Sequence, residues 1–345
     1  MASIVFSTFS SDKYAQYFNR KFLTTALEDL CLARYADKQT LPAQAGSLTM
    51  RLFKRSKASG ATVTQVTTEG QGLSANNSTL IPQDVALAEY YDMSQISRRA
   101  NLTEIFNNIE KETLRQGEAA AQFVEMQLRN AIRAPAGTNG GAQAANRLYA
   151  QGAASFAALN TAGVTNGKLT CKDVKRMVTR LKNTLTPKLK LTSADGKLSW
   201  KGYIVVVSHD QASDLQDDAD WKLLCQHTHP ELMQEGEVGQ WAGAKIIETS
   251  LPFIEDGGGT EDTYVASPSA GQIVHVALAF GQEAFAAADL ATAGSAMAPK
   301  VKVLDQPDKS DPINQWILVV WSAYFGQLVL DPSWVCIMKS VTTNQ

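Results

Sequence analysis

No apolar run in this 345-residue chain approaches the roughly 20 residues needed to cross a bilayer. The longest are Tyr203-Ile204-Val205-Val206-Val207 and Trp316-Ile317-Leu318-Val319-Val320-Trp321, so neither a membrane span nor a membrane partner is expected. No basic residues precede the short apolar stretch Ile4-Val5-Phe6 and no small-residue cleavage site follows it, which argues against a signal peptide and places synthesis in a cytosol. Cysteine is scarce. The four, at positions 31, 171, 225 and 336, lie too far apart for a C-x-x-C pair and read as small apolar residues in a reducing compartment. There is no excess of one charge either: 32 basic against 34 acidic residues give a net charge of -2, which excludes a nucleic-acid-coating composition. What is present, 44 % hydrophobic and 19 % charged residues, is ordinary globular composition. The length suggests about two domains, whose cores need neither disulfides nor metals.

The neutral total conceals blocks of opposite sign. From Lys168 to Lys201 there are ten basic residues and two acidic ones, a net of +8; from Val205 to Asp262 there are thirteen acidic residues and only Lys222 and Lys245, a net of -11. A shorter block, Arg51-Leu52-Phe53-Lys54-Arg55-Ser56-Lys57, holds four positive charges in seven residues. Such blocks suit either solvated faces or complementary surfaces on copies of one chain.

Hydrophobic spacing predicts a helix over Asp12 to Ala36, ended at Leu41-Pro42, then a strand over Ser47 to Lys57 with Leu48, Met50 and Leu52 on one face. Ser59 to Ser78 is too polar to bury a core, and Leu80 to Ile96 returns as a second extended segment with Val85, Leu87 and Tyr91 on one face. Together these make a two-stranded ribbon, which is marginal alone and needs a neighbour to lie on. The strongest local signal follows: a helix from Thr103, as N-cap, to Ala134, stopped by Pro135 and roughly 45 Å long. Leu102, Phe106, Ile109, Thr113, Gly117, Ala120, Val124, Leu128 and Ala131 form its buried stripe; Glu104, Glu110, Lys111, Glu118, Glu125 and Arg129 form its wet side. Ala134 to Asn166 reads as an irregular Ala/Gly/Asn hinge. Beyond it come a helix from Cys171 to Leu185 capped by Thr170, a strand over Lys201 to Ser208, a helix over Ala212 to His227 and a strand over Trp241 to Ser250. Strands at Thr263 to Ala266, His275 to Phe280, Ile317 to Phe325 and Trp334 to Val341 complete one α/β or α+β unit from about 165 to 330, with the last strand returning to the long helix.

Catalytic and metal patterns are incomplete. Cys225, His227 and His229 could begin a zinc corner, but no second ligand cluster follows. Asp217, Asp218 and Asp220 lack the glycine and terminal glutamate of a calcium loop. Gly257-Gly258-Gly259-Thr260 lacks the lysine of a phosphate loop and is flanked by Glu255, Asp256, Glu261 and Asp262, charge of the wrong sign. No G-x-S-x-G elbow occurs, and the contiguous Ser208-His209-Asp210 cannot easily converge as a triad. The expectation is no enzyme, no catalytic residue, no cofactor and no metal, in a chain rich in assembly features.

Three stretches carry a resemblance: Gly202-Tyr203-Ile204-Val205-Val206-Val207-Ser208-His209; Asp214-Leu215 with Asp220-Trp221; and Gly236-Glu237-Val238-Gly239-Gln240-Trp241-Ala242-Gly243-Ala244-Lys245-Ile246-Ile247-Glu248-Thr249. They resemble the signature of tailed-bacteriophage major capsid proteins of the N4-like group: a hydrophobic strand ending in a serine or histidine turn, an acidic helix ending in tryptophan, and G-E-v-G-x-x-x-G-v-x-i-i-E. The N-terminal third follows the same order, with Thr68-Glu69-Gly70 between the ribbon strands. Ala244, where valine is commoner, and the Ala/Gly tract at 134–166 depart from the pattern.

The resemblance implies an α+β protein with the Hong Kong-type capsid fold shared by tailed phages and herpesviruses. Its parts would be an N-terminal arm (1–46), an extended β-hairpin loop (47–101), a peripheral domain (102–164) with a spine helix (103–134), an axial domain (165–330), and a C-terminal strand (331–345) returning to the peripheral domain. The implied function is a self-assembling icosahedral shell of hexamers and pentamers around double-stranded DNA, held by weak non-specific contact; the alternative is an encapsulin-like compartment around a cargo enzyme. Implied partners are copies of itself, a portal protein and a separate scaffolding or decoration protein, since the chain begins almost at the arm helix. The setting would be a virion assembled in the host bacterial cytoplasm. The ribbon would lie over the next subunit, where heterologous contacts can close into rings. Arg51, Lys54, Arg55 and Lys57 would meet Glu104, Glu110 and Glu118 of that subunit's spine helix. Some relatives cross-link a ribbon lysine to a neighbour's asparagine; Lys57 is the one ribbon candidate near the tip, with no catalytic glutamate identifiable.

Overall fold

The computed structural model describes residues 31–42, 46–55, 80–103, 108–134, 146–192, 198–225, 237–266, 272–290, 300–307 and 312–343. Its strands, in chain order, are β1 (Asp37–Leu41), β2 (Thr49–Arg55), β3 (Leu80–Ala86), β4 (Ala88–Ser97), β5 (Arg147–Tyr149), β6 (Leu189–Thr192), β7 (Leu198–Ser208), β8 (Glu237–Trp241), β9 (Ala244–Thr249), β10 (Phe253–Asp256), β11 (Ile273–Phe280), β12 (Phe285–Leu290), β13 (Lys300–Leu304), β14 (Trp316–Val329) and β15 (Val335–Val341). The described α-helices are α1 (Arg98–Thr103), α2 (Asn108–Arg133), α3 (Phe156–Gly167), α4 (Cys171–Asn183), α5 (His209–Gln216) and α6 (Ala219–Cys225).

An eight-stranded sheet runs β5-β15-β11-β7-β9-β8, with β10 on β11 and β6 on β7. Its central strands are apolar on both faces, as strands covered on both sides must be. Tyr203, Val205 and Val207 of β7, Ala277 and Ala279 of β11, and Cys336 and Met338 of β15 face Val174, Met177, Val178 and Leu181 of α4 and Leu215 of α5. The alternate residues Ile204, Val206, Val276, Leu278, Val335 and Ile337 pack with Val124, Leu128 and Ile132 of α2. Each such fully buried aliphatic side chain contributes about 2 kcal/mol.

A second sheet, of five strands, runs β1-β12-β14-β13, with β4 also paired to β14. Its inner face, Val301, Val319, Trp321 and Ile96, rests on Ala120 and Ile109 of the same helix α2. This helix, 26 residues and about 39 Å long, therefore spans both sheets. The third pairing, β2 with β3, is a hairpin rooted by Met50, Leu52 and Val85 in a small core with Leu41, Leu87 and Leu328.

Local signals explain the helix starts. Thr170 and Asp173 form a capping box on α4, Ser208 and Gln211 form one on α5, and Ser155 accepts the Ala158 N–H at 3.2 Å to open α3. The stripe from Ile109 to Ala131 faces inward as its spacing predicts, at the positions described.

Other expectations are corrected. The helix foreseen over Asp12 to Ala36 falls largely outside the described residues; its end is a short 3-10 turn, Leu32–Arg34, and Asp37 begins β1, which finds a parallel partner in β12. Thr103 is not an N-cap, since it follows the helical residues from Arg98, its hydroxyl donating to the Arg99 carbonyl at 2.9 Å, and Leu102 stands exposed. Glu125 and Arg129, placed on the wet side, are buried: the Leu32–Ala33 segment covers Glu125, and the Leu251–Pro252 connection after β9 covers Arg129. In the second ribbon segment the alternation reverses at Leu87, so Tyr91 points outward; a one-residue shift moves every later side chain to the other face. Only β3 belongs to the hairpin, since β4 pairs with β14.

Within the expected hinge at 134–166, β5 pairs in parallel with β15, and the alanine-rich stretch from Phe156 is helical. The helix over Ala212 to His227 is two, because the Asp218 carboxylate accepts the Asp220 N–H and starts α6 afresh. The strand over Trp241 to Ser250 is the hairpin β8–β9, turned at Ala242 and Gly243, whose φ angles of 54° and 90° suit a two-residue turn. Thr263 to Ala266 is an irregular, mostly exposed segment, and Leu185 is exposed with φ 53°. The final strand shares a core with α2 but takes β11 and β5 as its strand partners. Residues 285–329, expected with the 165–330 unit, instead supply β12, β13 and β14 of the five-stranded sheet. The chain changes sheets on either side of this stretch, from β11 to β12 and from β14 to β15, and these two crossings are tied together where Leu330 N–H donates to the Ala284 carbonyl at 3.0 Å.

Candidate intersubunit surfaces

Beyond its rooted base the β2–β3 hairpin projects. Cross-strand register puts Phe53 opposite Pro82, Lys54 opposite Ile81 and Arg55 opposite Leu80. Phe53 is 63 % exposed, and Leu80 and Ile81 are exposed too, so among the described residues the outer hairpin carries exposed apolar surface. A second such surface lies on the outer face of the five-stranded sheet. Tyr91 (75 % exposed) and Met93 of β4, Leu304 of β13 and Trp316 of β14 stand there, with half-buried Leu318 and Val320 between them. Met93 pairs with Val320, and Leu318 with Leu304, so these residues are contiguous.

The charged residues singled out from sequence are distributed differently. Arg51 makes a two-pronged bond to Asp84 of its own hairpin, at 2.6 and 2.8 Å, which raises the Arg51 pKa and lowers that of Asp84. It is therefore engaged within its chain rather than held for a neighbour. Lys54 and Arg55 sit at the outer end of β2; Lys57 and Glu104 lie outside the described residues. Glu118 is exposed on α2, whereas Glu110 is half-buried and already interacts within the chain. The helix bearing both lies under the inner face of the five-stranded sheet, opposite the apolar outer face.

The positive and negative blocks also differ in fate. Much of the acidic block is consumed internally: Asp214 binds Thr343, Asp218 accepts the Cys171 N–H at 2.8 Å, and Glu248 pairs with His209. Glu255, Glu261 and Asp262 surround Lys339, each 2.9 Å from its Nζ. Lys339 is 1 % exposed and Glu255 0 %. Arg147 donates from one guanidinium nitrogen to both Asp262 carboxylate oxygens at 2.8 and 2.7 Å, Arg133 donates to the Asp262 carbonyl, and Tyr149 donates to Glu261 at 2.8 Å. Burial pushes the Glu255 carboxyl up. Burial also pulls Asp262 upward, but the bonds and charges of Lys339 and Arg147 outweigh it and hold that carboxyl below its usual range. The cluster pins the loop after β10 beneath β15 and the end of α2. Its sequence signal was a single lysine at an inward position of the otherwise buried strand Val335–Val341.

A second buried group joins the N-terminal segment to the long helix. Glu125 accepts the Leu32 N–H at 2.6 Å, and burial lifts its pKa to about 7. Arg129, one turn on, donates to the Leu251 and Pro252 carbonyls at 2.9 and 2.7 Å.

Ser208, His209 and Asp210 diverge: the serine caps α5, the histidine meets Glu248, and Asp210 lies 3.6 Å from His275. Among the described residues no three His, Cys, Asp or Glu side chains gather as a metal site, and no helix is long and apolar enough to cross a membrane. His227 and His229 lie outside the described residues. Burial raises the thiols of Cys31, Cys171 and Cys336 to about 12, which leaves them protonated at neutral pH.

No protein-family model matches the chain, and no curated protein does. Solved structures do. The capsid of Ralstonia phage GP4 aligns over 86 % of this chain and 84 % of its own, with a TM-score of 0.60 and 14 % identity. The cyanophage Pam1 capsid aligns over 91 % and 92 %, with a TM-score of 0.58 and 15 % identity. The SrpI encapsulin of Synechococcus elongatus aligns over 91 % and 88 %, at 0.53 and 12 %. The chain thus has the α+β fold of Hong Kong-type capsid proteins.

Proposed function

We propose that this protein is the major capsid protein of a tailed double-stranded DNA bacteriophage of the N4-like kind, assembling as hexamers and pentamers into an icosahedral shell. The observation that carries the reading is the hairpin with exposed Phe53, Leu80 and Ile81, on a fold that also exposes Tyr91, Met93 and Leu304 on the outer face of its five-stranded sheet. A monomer has no use for either surface. A ring of copies covers one with the other, and a head-to-tail contact of this kind is heterologous and can close. The eight-stranded sheet with α4, α5 and α6 would form the axial unit, and the five-stranded sheet with α2 the peripheral one. Residues 1–46 would be the arm, and the hairpin within 47–101 the extended loop. Lys54 and Arg55 would meet acidic side chains of the next copy other than those of its long helix, which lies on the far side of that sheet; Arg51 contributes rigidity to the hairpin through Asp84. Portal, scaffolding or decoration proteins and packaged DNA would be the further partners, in a virion assembled in the bacterial cytoplasm.

The likeness to an encapsulin supports a second reading, a smaller compartment around a cargo enzyme. Negative-stain microscopy of the expressed chain tests both. Closed shells, tubes or hexameric sheets support a shell protein, with shell diameter dividing capsid from compartment; uniform monomers refute it.

A further inference from the structure

Among the described residues much of the acidic block is neutralised internally, whereas most lysines of the basic block stand exposed. On α4, Lys172, Lys175, Arg176 and Lys182 are exposed, and Lys188, Lys190 and Lys201 extend the same sign over the adjoining strands. The one acid of α4, Asp173, is buried and turned inward, accepting the Gln151 N–H at 3.0 Å; Arg176 reaches it at 2.8 Å. Between α4 and β5 the surface is concave. Leu148 lies among Lys172, Lys175, Arg176, Thr179 and Arg180 there, and an Arg180–Asn146 bond of 3.1 Å fixes one wall. Lys172, Arg176 and Arg180 follow one another at intervals of four residues, so the cations form a row with a step of about 6 Å along the helix.

The composition of this face decides between anionic partners. Protein interfaces are enriched in aromatic residues and depleted in lysine. Here lysine predominates, and among the described residues the exposed rings Phe53, Tyr91, Tyr264 and Trp316 lie on other elements. Without rings there is no platform for unstacked bases either. The two arginines of the row are tied within the chain, Arg176 to Asp173 and Arg180 to Asn146, and the exposed lysines beside them match the phosphate backbone of a duplex, bound without regard to sequence.

We propose that the exposed face of α4, with its cleft against β5, is a sequence-independent binding surface for the phosphate backbone of double-stranded DNA, and so faces the packaged genome. The proposal rests on the reading of the chain as a DNA-filled shell.

The test uses the full chain below its assembly concentration and a fluorescent random-sequence duplex of about 30 base pairs, titrated between roughly 50 and 200 mM salt. Neutralising four or five phosphates predicts a log–log slope of about -4, with a dissociation constant in the range of about 1 to 100 μM at physiological salt. The K172A/K175A/K182A variant should bind AT-rich and GC-rich duplexes equally weakly and lose about 3 from the slope. It should still form normal shells by microscopy, with an unchanged unfolding midpoint. An unchanged slope in the variant would overturn the proposal. So would absence of duplex binding, or preferential capture of polyglutamate, which would assign the face to an acidic polypeptide. If the wild-type chain forms shells but binds no duplex, this proposal fails alone; if it forms no shells, the reading beneath it fails.

Discussion

Replacing Lys339 by methionine would remove the one ammonium that three carboxylates share while keeping most of the side-chain volume. Glu255, fully buried, would lose its 2.9 Å partner, and its nearest remaining cation, Arg133, stands at 4.0 Å. Removing one member of a buried ion pair costs about 3–5 kcal/mol, because the other charge stays desolvated. Part of that is recoverable. Burial already lifts the Glu255 pKa, so without Lys339 it can take up a proton, whereas Asp262 keeps Arg147 and Glu261 is partly exposed. A net loss of about 3 kcal/mol near pH 8, falling by about 1 kcal/mol or more near pH 5 as protonation becomes easier, is the expected outcome. Urea unfolding of the unassembled chain at both pH values measures it. The double variant K339M/E255Q should recover part of the loss, giving a coupling energy above about 1 kcal/mol. A loss below about 1 kcal/mol, or one independent of pH and of Glu255, would refute the view that these charges are held out of water and depend on each other.

Glu125 gives a second pH signature: its pKa of about 7 exceeds the 4.5 of an ordinary glutamate, so the folded chain binds this proton more tightly. Its contribution is present below about pH 4.5 and lost as pH rises through about 7, worth up to about 3 kcal/mol; E125Q should flatten the stability profile over that window, read from urea midpoints. In Gly202 an added Cβ would collide with the Trp200 ring and the Gly243 carbonyl oxygen, so G202A should cost about 2 kcal/mol by thermal unfolding. Charge reversal of Lys54 and Arg55 together should stop shell formation, scored by microscopy, while leaving the subunit soluble. Serine at Phe53 and Ile81 should also impair assembly, with subunit stability changed by less than about 0.5 kcal/mol since both are exposed.

The elements most legible from sequence were those whose local signal and tertiary use agree. Thr170 announces α4, Tyr203 to Val207 can only be a buried strand, and the stripe on α2 follows helical spacing through about six turns. Elements recruited by a neighbour were not legible. Ala286, Ala287 and Ala288 have little strand preference and become β12 because β1 and β14 flank them. The three residues of β5 exist as a strand only beside β15. Polarity misled at Glu125 and Arg129, where a single-face rule cannot know that the distant segments Leu32–Ala33 and Leu251–Pro252 supply backbone partners for a buried carboxylate and guanidinium. The hairpin was foreseen but its chemistry was not: its positive charges drew notice, while the register that bares Phe53 and Leu80 and couples Arg51 to Asp84 depends on cross-strand geometry.

The junction at Leu87 has a mechanical side. The hairpin continues directly into β4, which runs antiparallel to β14 over ten paired residues, from Ser97 with Trp316 to Ala88 with Phe325. A neighbour gripping the hairpin would pull β4 along its own axis. Bonds perpendicular to that axis would then be loaded in shear, all together, instead of peeling one by one. A container under outward pressure would thus carry tension between subunits through a lap joint, and the first thing to yield would be the grip, not the strand.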